Sequence, residues 1–276
     1  MGNWGFLTRS DYDALIATNW SSLSSMADSP ANYKHRLDHP REDTDVLRLG
    51  RAVHTCTFEP RKFELEYARW EGGTRRGKDW DNFQAAHKTQ VILTDDQWQT
   101  AMQMAASVLA DPVAREFVTD GEAEVSHRWE IERPFGIVDC KGRLDYLKPE
   151  WIVDLKSTVD ASQRAFGAQA FGMRWHGQAA WYTDGDERIH GRRRRYMLVA
   201  IEKTEAMIPQ CYEVGESELM LGRELYERLL DEREECRRSG VWSGYSTGVL
   251  PLRLPRWAWP DVERDLADMN LKEAGE

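Results

Sequence analysis

The sequence predicts an α/β or α+β fold in which one sheet is flanked by helices. Three observations lead there. Up to about residue 120 the chain carries short helical periods with repeated Ser, Thr and Asp cap candidates; from Ala123 it switches to strand-like alternation; after Ser157 helix and strand patterns take turns. With 41% hydrophobic and 30% charged residues, 276 residues suffice for one large domain without cross-links. The expected organisation is a single domain over 1–276, with a mostly helical part at 1–120, a sheet-and-helix core at 121–215, and a C-terminal helix and tail at 216–276.

The elements follow in order. SDYDALIATNWSSLSSMADSPANYKHRLDHP reads as short helices, and DTDVLRLGRAVHTCTFEP as a helix that sets Leu47, Gly50, Val53 and His54 near one face. ARWEGGTRRGKDWDNF is a Gly-rich basic loop entering a helix near Trp80. TDDQWQTAMQMAASVLADP is an amphipathic helix with a Thr/Asp cap and a proline stop. AEVSHRWEIE, FGIVDCKGRLDYL and EWIVDLKS alternate as three strands of an antiparallel meander, turning at Arg133-Pro134 and Lys148-Pro149. DASQRAFGAQAFGMRWHGQAAWYTDG is helical with Asp160 or Ser162 as cap; RRYMLVAIEK and MIPQCYEVG are two more strands. A long charged helix, ESELMLGRELYERLLDEREECRRSG, precedes a Trp/Pro-rich tail whose Trp242, Trp257 and Trp259 could pack on the core or on another subunit.

Composition excludes several classes. The balance of 37 basic against 47 acidic residues, a net −10, argues against a general nucleic-acid coating protein, although a local basic groove and a carboxylate metal site remain compatible with it. Cys56, Cys140, Cys211 and Cys236 stand singly, so neither a zinc ribbon nor a disulfide framework is expected. No signal peptide or membrane-spanning run is visible, and a soluble intracellular protein is expected. The twelve tryptophans are read as core and interface filling.

The chemistry centres on GRLDYLKPEWIVDLKST, Gly142 to Thr158, where two apolar strands each carry an aspartate. Strands ending side by side would bring Asp145 and Asp154 together, and two buried carboxylates need a cation between them. A hard divalent ion, Mg²⁺ or Mn²⁺, satisfies oxygen ligands and leaves positions for phosphate oxygens. Lys156 shares a strand face with Asp154, where it can offset charge developing on a phosphate; an ordinary exposed Asp/Lys pair is the competing reading.

G-x-x-D at Gly142–Asp145, then D-L-K at Asp154–Lys156, then QAAWY from Gln178 to Tyr182 together resemble the PD-(D/E)xK nuclease superfamily, in its RecB-, AddB- and RecE-like branch. GRAVH, Gly50 to His54, is similar to that branch's upstream histidine motif. SSMADSPANYK, LGRAVHTCTFEP, TRRGKDWDNF, KGRLDYL, DLKST and WHGQAAWY resemble segments of the RecE-type exonuclease VIII family of phages and prophages, in the same order, from about Ser21 to Glu213.

The resemblance implies a restriction-endonuclease-like fold with a central mixed sheet, and metal ligation by His54, Asp145, Asp154 and the Leu155 carbonyl. Glu124 matches an acidic position, with Glu122 as competitor and a solvated glutamate as the plain alternative. Gln178 and Tyr182, one helical turn apart, would meet DNA or the catalytic lysine, or Tyr182 simply packs; His176 also matches. Ser157 and Thr158, next to the lysine, are further DNA-contact candidates. Arg75, Arg76 and Lys78 could hold a terminal 5′ phosphate, or form a plain charged loop. GRRRRY, Gly191 to Tyr196, could be a nucleic-acid patch but is not placed in the site.

The activity so implied is metal-dependent digestion of linear double-stranded DNA, 5′ to 3′, leaving 3′ single strands for an annealing or recombinase partner, by a ring-shaped homo-oligomer such as a tetramer, phage- or prophage-encoded in a bacterial cytoplasm. Two other classes stay open: a non-catalytic DNA-end binder on the same fold, and a Cas4-like or helicase-associated nuclease with an iron–sulfur cluster.

Overall fold

The structure, a computed structural model, describes residues 8–39, 43–246 and 248–254. Residues 1–242 and 243–276 form two compact units; the described part of the second is irregular chain, and Trp257 and Trp259 lie outside the described residues.

The first unit begins with α1 (Arg9–Ala14), β1 (Thr18–Asn19), α2 (Trp20–Leu23), a 3₁₀ turn (Ser24–Ala27) and α3 (Pro30–Asp38). α4 (Asp45–Phe58) and α5 (Pro60–Glu66) lead into β2 (Tyr67–Trp70), α6 (Lys78–Ala86) and β3 (Val91–Thr94). α7 (Asp95–Ala110) and α8 (Pro112–Val118) precede the meander of β4 (Glu122–Arg133), β5 (Gly136–Leu147) and β6 (Trp151–Thr158). α9 (Gln163–Gly172) and α10 (Trp175–His190) cross to β7 (Arg195–Glu202), which turns into β8 (Pro209–Val214) before α11 (Glu216–Ser239).

The central sheet runs β1-β5-β6-β7-β8, with β4 also paired to β5. β4, β5 and β6 pair antiparallel as the alternation predicts; β7 lies parallel to β6, because α9 and α10 form the crossover a parallel pair requires. The sheet is therefore mixed. Trp20, Trp129, Trp181, Tyr226 and Leu229 build the core between one face and α10–α11. Val53, Met104, Val108, Leu155 and Val199 build the other, beneath α4 and α7. Helix, sheet and helix thus stack as three layers.

Local chemistry explains the borders. TDDQ forms a full capping box on α7: Thr94 Oγ1 accepts the Gln97 N–H at 3.2 Å while Gln97 Oε1 accepts the Thr94 N–H at 3.0 Å. α7 ends at Ala110, before Pro112 as expected of a stop, and Pro112 also opens the first turn of α8, with Asp111 Oδ1 accepting the Val113 and Ala114 N–H groups. The single helix expected from Asp160 onward is two helices, because Arg174 adopts a left-handed conformation with φ 59° and its guanidinium pairs with Asp28 at 2.7 Å. Leu47 does not join the α4 stripe; it stays exposed, since Ala52, Val53, Cys56 and Thr57 set the buried side. The helical part up to residue 120 also contains β1 and the small parallel β2–β3 sheet, which the sequence reading left out.

Candidate active site

The register of the meander puts three acids on one rung. β4 pairs with β5 through Ala123↔Tyr146 and Val125↔Leu144, which flank Glu124 and Asp145. β5 pairs with β6 through Tyr146↔Val153, so the next step sets Asp145 opposite Asp154. The bonded ladder passes over this rung, and Glu124 sits there at φ 56°. A left-handed conformation costs a non-glycine residue about 1–2 kcal/mol, strain the surrounding strands have to hold.

The side chains interlock. His54, on α4, brings Nδ1 to 3.2 Å from Asp145 Oδ2, and the same oxygen accepts the Leu155 N–H at 3.2 Å. Lys156 Nζ lies 2.6 Å from Asp154 Oδ2 and donates to Gln178 Oε1 at 3.1 Å. Gln178 Nε2 in turn donates to Asp154 Oδ1 at 3.0 Å. Lys156 also stands 5.4 Å from the Trp175 ring centre. Glu124 is paired with Arg143.

Electrostatics separates the two aspartates. Burial pushes Asp154 up, and Asp145 adds to it against the pull of Lys156, giving about 7. Burial also opposes charge on Asp145, but His54, Lys156 and the Leu155 N–H outweigh it and hold that carboxyl at about 2. Burial opposes charge on His54 too, yet Asp145 and Asp154 raise it above the ordinary imidazole value. Glu124 is raised by burial and then by Asp145. Asp154 is only 2% exposed, and its Oδ2, close to Lys156 but outside hydrogen-bonding geometry, has no hydrogen bond.

This donor set fits a hard divalent cation: carboxylates crowded on one rung, one carrying a buried orphan oxygen, with an imidazole beside them. His54, Asp145 and Asp154 nevertheless do not close to mutual ligand spacing. Among the described residues, the trio whose donor atoms all lie within 4.8 Å of one another is His127, Asp186 and His190, which belongs to a different part of the sheet.

The remaining candidates are distributed unevenly. Tyr182 packs on β5, where a Cβ at Gly142 would come within 2.8 Å of its ring; glycine is required for that approach. Leu155 points its side chain into the α4–α7 core. Ser157 is half-buried, whereas Thr158 is buried and donates to Gln169 Oε1 at 2.6 Å, away from the acids. Arg75 is turned back to Asp45 and Gln97, at 3.2 and 2.9 Å, while Arg76 and Lys78 are exposed. Glu122 is exposed and pairs with Leu147, two rungs from Glu124. His176 stacks on Phe171 at 5.7 Å instead of facing the acids. In GRRRRY, Arg193 meets Glu216 at 3.0 Å, Arg195 pairs with Glu213, and Arg194 is buried against Asp186. The cysteines are free and divided between the two sides of the sheet, Cys140 and Cys236 on one, Cys56 and Cys211 on the other, so they converge on no common point.

Two contributions escaped sequence reasoning. Arg143 pairs with Glu124 and was visible in principle, because it stands two residues before Asp145 on the same strand. Arg9 and Tyr12 of α1 feel the charge of Glu124, and Tyr12 also lies 6.0 Å from the Arg143 guanidinium; no local pattern announces either. Lys141 secures that helix by donating to the Tyr12 and Leu15 carbonyls at 2.7 and 2.8 Å.

Comparison with known proteins agrees with this architecture. The crystal structure of a "Putative exonuclease" from Eubacterium rectale superposes with a TM-score of 0.64 at 15% identity, covering 91% of this chain and 96% of that one, a likeness of fold. The crystal structure of SSO0001 matches at a TM-score of 0.29 and 14% identity, over 67% of this chain and 85% of that one, too distant to carry an argument. No curated protein matches the chain. The family model described as a PDDEXK-like domain of unknown function (DUF3799) matches residues 19–253, the span that holds the whole acid rung, and the chain belongs to that family.

Proposed function

We propose that the protein is a metal-dependent nuclease that hydrolyses DNA phosphodiesters at the Glu124–Asp145–Asp154 rung. The observation that carries this reading is Asp154: a carboxylate 2% exposed, beside a second acid, with its Oδ2 2.6 Å from the Lys156 ammonium. Asp145 and Asp154, with His54 and the Leu155 carbonyl, would hold Mg²⁺ or Mn²⁺. A cation bound there supplies Lewis acidity to the phosphate and to the attacking water.

The chain's own groups do the rest. Lys156 presents an ammonium beside the acids, where it offsets negative charge developing on the phosphate. Gln178 bridges Asp154 and Lys156 and so fixes the lysine's direction. Glu124, tied to Arg143, adds a third carboxylate at the end of the rung. The Trp175 ring, 5.4 Å from Lys156 Nζ, faces the ammonium with its π surface.

In its finer form the proposal is an exodeoxyribonuclease acting 5′ to 3′ on linear duplex ends as a homo-oligomeric ring, with Arg76 and Lys78 as the exposed cations available to an end phosphate. The test is digestion of a linear duplex labelled separately at its 5′ and 3′ ends, with Mg²⁺, Mn²⁺ or EDTA. Metal-dependent release of the 5′ label that disappears in Asp154→Ala is expected. Intact DNA binding with no cleavage under any metal would replace this reading with a non-catalytic end binder.

A further inference from the structure

A second polar cluster sits apart from the acid rung. His127 comes from the middle of β4, opposite Gly142, whereas Asp186 and His190 come from the last two turns of α10. His127 is 1% exposed and neither of its ring nitrogens has a hydrogen-bond partner; Asp186 is fully buried and its Oδ1 is likewise unpartnered. Buried polar atoms are nearly always satisfied, so the unpartnered His127 Nδ1 facing the unpartnered Asp186 Oδ1 calls for a missing partner.

The spacing says what kind. His127 Nδ1 lies 3.7 Å and His190 Nε2 3.4 Å from Asp186 Oδ1, and the three donors all fall within 4.8 Å of one another. Ligands about 2.0–2.1 Å from a tetrahedral ion stand roughly 3.3 Å apart, so the cluster needs only small movements to close on one. The carboxylate is already oriented for it. Arg194 Nη1 holds Asp186 Oδ2 at 2.5 Å, while Arg194 Nε donates to the Lys148 and Pro149 carbonyls at 3.0 Å. Oδ1 is thereby left to the imidazoles, an outer contact of the sort that fixes metal ligands. His190, with 27% of its side chain exposed, provides the route to solvent.

We propose that His127, Asp186 and His190 form a Zn²⁺ site, distinct from the acid rung, that ties β4 to the C-terminal end of α10. Two imidazoles and one carboxylate oxygen suit a borderline cation, whereas the rung's crowded carboxylates suit a harder one. The same helix carries Gln178 at its other end, so the site anchors the element that directs Lys156.

The test uses full-length protein carrying Asp154→Ala, which weakens the rung as a competing site. Stripped of metal, it is titrated with Zn²⁺ against a chromophoric chelator, and in parallel with Co²⁺ in the visible range. One tight equivalent is expected, with the intense visible bands of four-coordinate Co²⁺, and a melting temperature raised by about 5 °C at roughly hundredfold excess over Kd. Adding His190→Ala, a change at a partly exposed position, should weaken that equivalent by about a hundredfold or more while far-ultraviolet circular dichroism stays native. Equal Zn²⁺ affinity with and without His190, or no tight equivalent at all, would overturn the site. X-ray absorption of the Zn²⁺-loaded Asp154→Ala protein decides independently of the second substitution: two imidazoles in the first shell support the assignment, and an all-oxygen shell sinks it.

Discussion

Asp154 and Asp186 are the two buried aspartates among the described residues, and each touches a cation and leaves one oxygen unbonded. Their surroundings differ. Asp186 answers to a guanidinium clamped by two backbone carbonyls, a fixed arrangement. Asp154 shares its place with Asp145, and its partner Lys156 hangs on a flexible stem bridged by Gln178. A buried ion pair alone therefore says little about role. A second acid on the same rung and a left-handed backbone at Glu124 are what set the proposed catalytic place apart from the Asp186 clamp.

Substitutions can break that contrast. Asp154→Ala should lower nuclease rate by about a thousandfold or more while the protein melts at or above the wild-type temperature, since burial already disfavours that carboxylate's charge; a large fall in melting temperature would put Asp154 with Asp186. Asp186→Ala strands Arg194, and the expected loss is about 3–5 kcal/mol, near 10 °C by calorimetry; an unchanged melting curve would mean the clamp is dispensable. Lys156→Ala should reduce turnover by about a hundredfold with duplex binding retained, measured by single-turnover cleavage and by anisotropy. The smallest effect is assigned to Gly185→Ala, whose new methyl would stand 2.8 Å from the Trp129 ring; chemical denaturation should register about 1–3 kcal/mol.

The contrast also marks what could be read from sequence. Asp145, Asp154 and Lys156 were legible because period-two alternation and one short turn place them together. The meander, α7 and α11 were legible for the same reason: their periodicity and caps are local. β2 and β3 were not, because a four-residue parallel pair formed across an intervening helix leaves no periodic trace. The break at Arg174 depends on an ion pair with Asp28, far away in sequence. The His127 cluster joins a strand and a helix about sixty residues apart, and only the i, i+4 spacing of Asp186 and His190 hinted at it.

The Lys141 tether bears on how a minimal version of this protein should be cut. The family match begins at residue 19, which makes that position a natural place to start a shortened gene. A protein begun there would lack the Tyr12 and Leu15 carbonyls that accept from Lys141, and the helix that covers this lysine, 4% exposed in the whole chain, would go with them. Arg9 and Tyr12 would be gone from beside Glu124 as well. A fragment begun before α1 is therefore expected to melt higher than one begun at residue 19, a difference drawn by one ammonium group and not by sequence similarity.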